Sequence, residues 1–299
     1  MSDDAGPGAP APPEIRTVAV LGAGTMGHGI AQVCAQAGLD VRLHDPDPHA
    51  LEGGLDRIRA NLDKGVELGK VEAEERRRAL ERLAPAAELD DAVGRADAVV
   101  EAAPEKLELK RAIFREVEAA TPDDALLATN TSSISVAAIG QALERPERFL
   151  GLHFFNPVHI MGLVEVVWSA DTREARLEQA ISLVRRLGKE PVVVRDSPGF
   201  ASSRLGVILA LEAIRMLEEE VASAQDIDRA MELGYRHPMG PLRLTDLIGL
   251  DVRLGIAEYL HEALRSEAFR PPQLLRRMVE EGRTGRKAGR GFYDWSDDG

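Results

Sequence analysis

Residues 17–45 read TVAVLGAGTMGHGIAQVCAQAGLDVRLHD. Thr17 to Leu21 is a short apolar run that stops at glycines, the pattern of a buried strand. Gly27 to Ala37 carries helix formers and ends before Gly38, a suitable C-cap residue. Asp40 to His44 is a second strand candidate closing on Asp45. Strand, helix and strand within about thirty residues make one βαβ unit and therefore imply a parallel sheet. At the first junction Gly22, Gly24 and Gly27 form a G-x-G-x-x-G with Thr25 and Met26 between them. Such glycines serve a tight turn, the approach of backbone to a pyrophosphate, and close helix–strand packing. The phosphates would meet the helix N-terminus, where free N–H groups and the helix dipole favour an anion. These five residues are the expected dinucleotide contacts. Asp45 stands at the end of the second strand, where a carboxylate accepts from ribose hydroxyls and repels a 2′-phosphate. The pattern predicts NAD rather than NADP. A glycine-rich turn without a ligand, and an Asp45 that only starts a turn before Pro46, are the plain alternatives.

Outward from this unit, His49 to Leu83 reads as a charged helical pair, with apolar residues at helical spacing (Leu51, Leu55, Ile58, Leu62, Val66). Ala96 to Ala102, Leu126 to Thr129, Phe149 to His153, Val164 to Trp168 and Pro191 to Val194 read as strands, and Leu107 to Ala120 as a helix. Alternation of this kind predicts an α/β, Rossmann-type doubly wound domain over 15–196. After DSPGF the character changes. Leu205 to Glu220 is apolar around most of its circumference, as expected of a buried central helix. Helical patterns follow at 224–233, 241–247, 251–264 and 272–281, predicting an all-helical C-terminal domain over 197–299. The first fourteen residues, acidic and rich in Pro, Gly and Ala, read as a disordered leader.

Composition narrows the function. Of 299 residues, 44% are hydrophobic and 29% charged, as in a soluble globular protein. Lys plus Arg (37) against Asp plus Glu (50) leaves −13, which argues against nucleic acid or an anionic membrane as the main partner. A lone cysteine, Cys34, allows no internal disulfide, and no metal site is expected. No run reaches the eighteen or so apolar residues of a membrane span. With no signal-peptide pattern, a cytoplasmic protein is expected.

At HFFNP (153–157) a family comes into view. The chain resembles the 3-hydroxyacyl-CoA dehydrogenases, including the 3-hydroxybutyryl-CoA dehydrogenases. The matching segments are VAVLGAGTMGHGIAQ (18–32), VVEAAPEKLELK (99–110), NTSSIS (130–135), RFLGLHFFNPVHIMGLVEVV (148–167), DSPGFASSR (196–204), HPMGPLRLTDLIGLD (237–251) and GRKAGRGFYDW (285–295). Oxidising a secondary alcohol needs a base for the hydroxyl proton while hydride leaves the carbon. Histidine suits this, because its pKa lies near neutrality. Glu165 lies twelve residues after His153, in the apolar run LVEVV. A carboxylate brought against the imidazole would fix its tautomer and stabilise the imidazolium. The resemblance implies those roles for His153 and Glu165. Taken alone, a histidine beside two phenylalanines is an ordinary core residue.

The resemblance also implies contacts of Ser132 and Asn156 with the reacting oxygen and the nicotinamide end of the cofactor, and contacts of Glu105, Lys110 and Lys287 with the cofactor. A turn serine, a turn Asn-Pro and solvated surface charges are the competing readings. Where the family commonly has Asn in PGF-x-x-N-R, this chain has Ser203, a shorter group without the amide's second donor, here a candidate substrate contact. The implied reaction converts a short (3S)-3-hydroxyacyl-CoA and NAD⁺ to the 3-oxoacyl-CoA and NADH. The apolar helix 205–217, longer than one small domain requires, predicts a homodimer through the C-terminal domain, an ordinary core helix being the plain alternative. Fatty-acid metabolism with its β-oxidation, butyrate metabolism and aromatic degradation all remain open as the setting. The rivals are a dehydrogenase of a free hydroxy acid from the same superfamily and a non-catalytic NAD-binding protein.

Overall fold

The run Thr17–Leu21 is strand β1, followed by α1 (Gly27–Gln36), β2 (Asp40–His44), α2 (Pro48–Glu67), α3 (Ala73–Glu81), β3 (Leu83–Ala86), α4 (Leu89–Val93) and β4 (Ala98–Glu101). Then come α5 (Leu107–Ala120), β5 (Leu126–Thr129), α6 (Val136–Gly140), β6 (Phe149–Phe154), β7 (Leu163–Trp168), α7 (Glu174–Arg186) and β8 (Glu190–Arg195). The computed structural model describes residues 14–296, so all but Glu14 of the expected leader lies outside the described residues. The eight strands form one sheet in the order β3-β2-β1-β4-β5-β6-β7-β8. Every pairing is parallel except β6 with β7. From β1 the chain winds outward to β3, then returns to β4 on the other side of β1. The loops leaving β1 and β4 therefore diverge, which opens a crevice at the carboxyl ends of the strands.

The central strands β1, β4, β5 and β6 are buried along nearly their whole length and read as mostly apolar runs, whereas β2 and β8 carry exposed polar residues. Val18, Val20, Leu43, Val100, Leu126, Leu150 and Val166 pack with Ile30 and Cys34 of α1 in one core. Burial pushes the Cys34 thiol up to about 12, as expected of an inert core cysteine. Leu83–Ala86 corrects the sequence reading, which runs a helical pair as far as Leu83. These four residues instead pair with β2 as the edge strand. A four-residue half-exposed strand containing Pro85 is too short to show a period of two. The short α6 and the amphipathic α7 also escape that reading.

A break between Asp196 and Ser197 divides the chain into two compact units. The second holds α8 (Ser202–Glu218), α9 (Ala224–Gly234), α10 (Pro241–Ile248), α11 (Leu250–Leu264) and α12 (Gln273–Glu280). No strand occurs among its described residues. Val207, Leu211 and Ile214 of α8, spaced at helical intervals, pack with Ile227, Leu250, Leu260 and Met278. The expectation that α8 is buried all round needs correction: Leu205 is 68% exposed and Ile208 lies at the surface. One flank of α8 fills the core, and the other turns Leu205 and Ile208 outward beside Arg204 and Glu212. No helix among the described residues is long and apolar enough to cross a membrane.

Candidate active site

The turn after β1 is shaped by its glycines. Gly22 has φ +94°, a backbone region that L side chains avoid. A Cβ there would also come within 2.8 Å of the Ala102 carbonyl oxygen, at the exit of β4. At Gly27 a Cβ would overlap the Gly22 carbonyl, so only glycine lets α1 begin directly beneath the turn. Gly24 is different, because a Cβ there would meet nothing within 4 Å. Its open side is where a ligand can approach backbone. Asp45 closes β2 beside this turn; Oδ2 accepts from the Ala23 N–H at 2.8 Å and Oδ1 from the Asp47 N–H at 3.0 Å. Asp47 in turn caps α2 by accepting from the His49 N–H. A cavity of about 690 Å³ opens here, lined by Gly22, Gly24, Thr25, Met26, Asp45 and Leu109 among others. Helix N–H groups, an acid closing the second strand and an apolar wall suit a dinucleotide.

Further along the sheet, β6 and β7 form its antiparallel pair, and the register sets His153 opposite Glu165. Alternation along both strands points the two side chains to the same face. His153 Nδ1 meets Glu165 Oε2 at 2.8 Å, with both side chains buried. Phe155 covers the imidazole, with ring centroids 4.4 Å apart. A carboxylate can only accept, so an ionised Glu165 holds the proton on Nδ1 and leaves Nε2 as the accepting nitrogen.

Between these two places lies an ionic cluster, buried at Glu101 and Lys110 and open to solvent at Glu105. Glu101, the last residue of β4, takes the Lys110 ammonium at 2.6 Å, the Thr129 hydroxyl at 2.6 Å and the Ala103 N–H at 2.6 Å. Lys110 also faces Glu105 at 3.6 Å. Glu105 Oε1 accepts from the Thr131 hydroxyl at 2.7 Å, the Ser132 N–H at 2.9 Å and its hydroxyl at 3.2 Å, and the Ser133 N–H at 3.1 Å. Burial opposes the charge on Glu105, yet the Thr131 hydroxyl, the Lys110 ammonium and the two amides together hold its carboxyl below the ordinary value.

Two family models divide the chain between them. Residues 17–197 match the 3-hydroxyacyl-CoA dehydrogenase NAD binding domain, and residues 199–295 match the 3-hydroxyacyl-CoA dehydrogenase C-terminal domain. The chain belongs to the 3-hydroxyacyl-CoA dehydrogenase family. A 3-hydroxybutyryl-CoA dehydrogenase of Bradyrhizobium diazoefficiens is 45% identical over 281 residues, covering 94% of this chain and 96% of that one. A 3-hydroxyadipyl-CoA dehydrogenase of Escherichia coli is also 45% identical, with 94% of this chain and 59% of that protein covered. Among solved structures, the (S)-3-hydroxybutyryl-CoA dehydrogenase of Ralstonia eutropha superposes with a TM-score of 0.91 at 39% identity, covering 95% of this chain and 100% of the other. As a 3-hydroxyacyl-CoA dehydrogenase the chain is an NAD-dependent oxidoreductase, and its first unit is the family's NAD-binding domain.

The remaining candidates differ in how they are held. Ser132 sits on the loop after β5, fastened to Glu105. Asn156 is exposed on the loop that leaves β6. Lys110 is not a solvated surface charge: its side chain is wholly enclosed and presents itself through Glu101 and Glu105. Ser203 lies half-buried in the first turn of α8. Lys287 pairs with Asp251 at 2.7 Å near the C-terminus. Glu101 is missing from the sequence reading, since its only signal is an acid closing an otherwise apolar strand.

Proposed function

We propose that this chain oxidises a short (3S)-3-hydroxyacyl-CoA, 3-hydroxybutyryl-CoA above all, to the 3-oxoacyl-CoA. The observation that carries the reading is the buried His153–Glu165 pair set by the β6–β7 register. NAD, when bound, supplies the hydride acceptor. His153 takes the hydroxyl proton at Nε2, while Glu165 keeps Nδ1 protonated and offsets the imidazolium charge as it forms. In the reverse direction the same nitrogen returns the proton. Gly22, Gly24, Thr25, Met26 and Gly27 would hold the pyrophosphate, and Asp45 the ribose. Ser132 and Asn156 would orient the reacting oxygen, and Glu105 would hold Ser132 in place. Ser203 and Lys287 keep the substrate- and cofactor-contacting roles of the family positions they match. Serine at 203 offers one donor where an asparagine offers two, so either Ser203 reaches the carbonyl through a water or polarisation of that carbonyl falls more heavily on His153 and Ser132.

The same reading includes a homodimer formed through the helical unit. Leu205 of α8, Leu244, Leu247 and Ile248 of α10 and Val252 of α11 are exposed apolar residues of the kind an interface covers. It also places the protein in the cytoplasm, in keeping with the acidic composition and the lone cysteine.

The test is NADH oxidation with acetoacetyl-CoA, beside free acetoacetate and beside His153→Ala. Turnover of the CoA ester alone, lowered about 10²- to 10⁴-fold in the variant, is the expected result. Turnover of the free acid would move the chain to hydroxy-acid dehydrogenation. Tight NADH binding without turnover of either would make it a binding protein.

A further inference from the structure

The loop 155–162, which joins the two strands of the His153–Glu165 pair, is held from beneath by a buried lysine. Lys189, 8% exposed, donates from Nζ to the carbonyl oxygens of Val158 at 2.6 Å and Met161 at 2.7 Å. Burial keeps its pKa below that of an ordinary lysine. Enclosing an ammonium with carbonyls rather than a carboxylate is unfavourable, and an aliphatic side chain would fill the space at less cost. What the lysine adds is a fixed position for two carbonyls on opposite sides of the same turn.

The clamped loop rests on the cofactor helix. Val158 is buried, and a Cβ on Gly29 would approach the Val158 Cβ to 2.8 Å. Gly29 lies in the first turn of α1, immediately after the glycine turn. At its other end the loop begins with Phe155, packed on the His153 ring. One short segment thus touches the imidazole, the first turn of α1 and the Lys189 ammonium. Its outer residues His159, Ile160 and Met161 are exposed, so the hold on the loop comes from its inner side.

We propose that Lys189 is a positioning residue: by clamping loop 155–162 onto Gly29, it sets where His153 stands relative to the N-terminus of α1. It thereby sets the base against the dinucleotide held there. The inference rests on the dehydrogenase reading above. It adds a residue that touches neither substrate nor cofactor and acts through backbone.

Lys189→Met removes both hydrogen bonds and keeps most of the stem's volume. The expected result is a kcat for acetoacetyl-CoA reduction lowered about 10- to 100-fold, the scale of a small misplacement of reacting groups. The dissociation constant for NADH should be unchanged. The isotope effect with NADH deuterated at the transferred position should rise, because the hydride step alone is slowed. A partly unfolded population would lower kcat and leave the isotope effect where it was. Gly29→Ala, which pushes Val158 off the same seat, should give the same signature. The double variant should be little worse than the worse single one, since both displace one loop. Additive losses, or an unchanged isotope effect in both variants, would overturn the proposal. Backbone amide exchange gives a readout independent of the substrate. Exchange across 155–162 should quicken in Lys189→Met and stay constant in β1 and β4. Unchanged exchange sinks the clamp even if the wild type proves inactive on acetoacetyl-CoA, an outcome that would by itself refute only the substrate.

Discussion

Both units bury carboxylates on short, well-aligned hydrogen bonds, and the two use them differently. In the helical unit, Asp246 accepts from the Phe292 and Tyr293 N–H groups and the Trp295 indole N–H, each at 2.9 Å. Asp228 accepts from the Leu242 and Arg243 N–H groups and the Tyr293 hydroxyl. Gly240 and Gly291 give these acids room, since a Cβ at either would overlap the carboxylate. In the first unit, Glu165 faces the imidazole of His153, and Glu101 faces Lys110 and Thr129. Burial is the same in both, but the partners are not. Backbone amides and an indole carry fixed protons, so Asp228 and Asp246 tie α9, α10 and the C-terminal stretch together. The partner of Glu165 is an imidazole, and in the proposed reaction that ring takes up and returns the proton that Glu165 would govern. Burial alone does not separate the two uses; the imidazole partner of Glu165 is what sets it apart from Asp228 and Asp246.

The largest expected effect comes from removing the charge at Glu165 while keeping its shape. Glu165→Gln should lower kcat for acetoacetyl-CoA reduction by about 10²-fold or more, since an amide can present either donor or acceptor and no longer fixes the tautomer. Unfolding by denaturant should change much less. A variant that keeps its rate but loses stability would make Glu165 scaffold, and the contrast would fail. The reciprocal change is Asp246→Ala, which leaves two amides and the Trp295 N–H without their acceptor. It should destabilise by about 3 kcal/mol or more, read as a lower denaturant midpoint. The pH dependence of kcat in the molecules that remain folded should be that of the wild type.

A smaller effect is expected at Asp45, which mixes the two uses. Its oxygens accept from the Ala23 and Asp47 N–H groups, yet the carboxylate stands at the mouth of the dinucleotide cavity. Asp45→Ala should raise the KM for NADH by about 10-fold, the worth of one charge-assisted hydrogen bond. It should also narrow the preference over NADPH, and a KM ratio of the two cofactors equal to the wild type's would reduce Asp45 to a turn residue.

What can be read in the sequence follows the same division. The glycine turn and Asp45 are legible because their partners lie in one βαβ unit, where spacing dictates contact. His153 and Glu165 are legible as residue types, and two facing strands joined by a short loop bring them together. The cluster of Glu101, Lys110 and Glu105 is not legible in this way. Lys110 in isolation looks like any surface lysine on a helix, and only the seating of α5 against β4 encloses it. The Lys189 clamp has no sequence signature at all, because its partners are carbonyls of residues whose identity is immaterial. Ser203 is visible as a departure from the family, since serine and asparagine differ in donor count whatever surrounds them. The edge strand β3 is hidden for a simpler reason, being four residues long and half-exposed.

Glu105 sharpens the comparison most finely, because it takes both kinds of partner at once. Like the acids of the helical unit it accepts from amides, those of Ser132 and Ser133; like Glu101 it faces the Lys110 ammonium. Its folded pKa lies below the ordinary value of 4.5. A depressed carboxyl pKa contributes stability that is fully present above the unfolded value and is lost as pH falls through the folded one. Glu105→Gln should therefore flatten the loss of stability on the acid side of 4.5 and leave the slope above neutrality unchanged. The side chain is 36% exposed, so solvent screens the effect and the change in slope should be slight. The rate should fall as well, because the glutamine NH2 must stand either against the Lys110 ammonium or against the Thr131 hydroxyl and the Ser132 N–H, donor facing donor in both cases. If acid unfolding changes and the rate does not, Glu105 belongs with Asp228 and Asp246. If the rate changes and acid unfolding does not, the carboxylate adds little to stability, and the hold on Ser132 is what it is for.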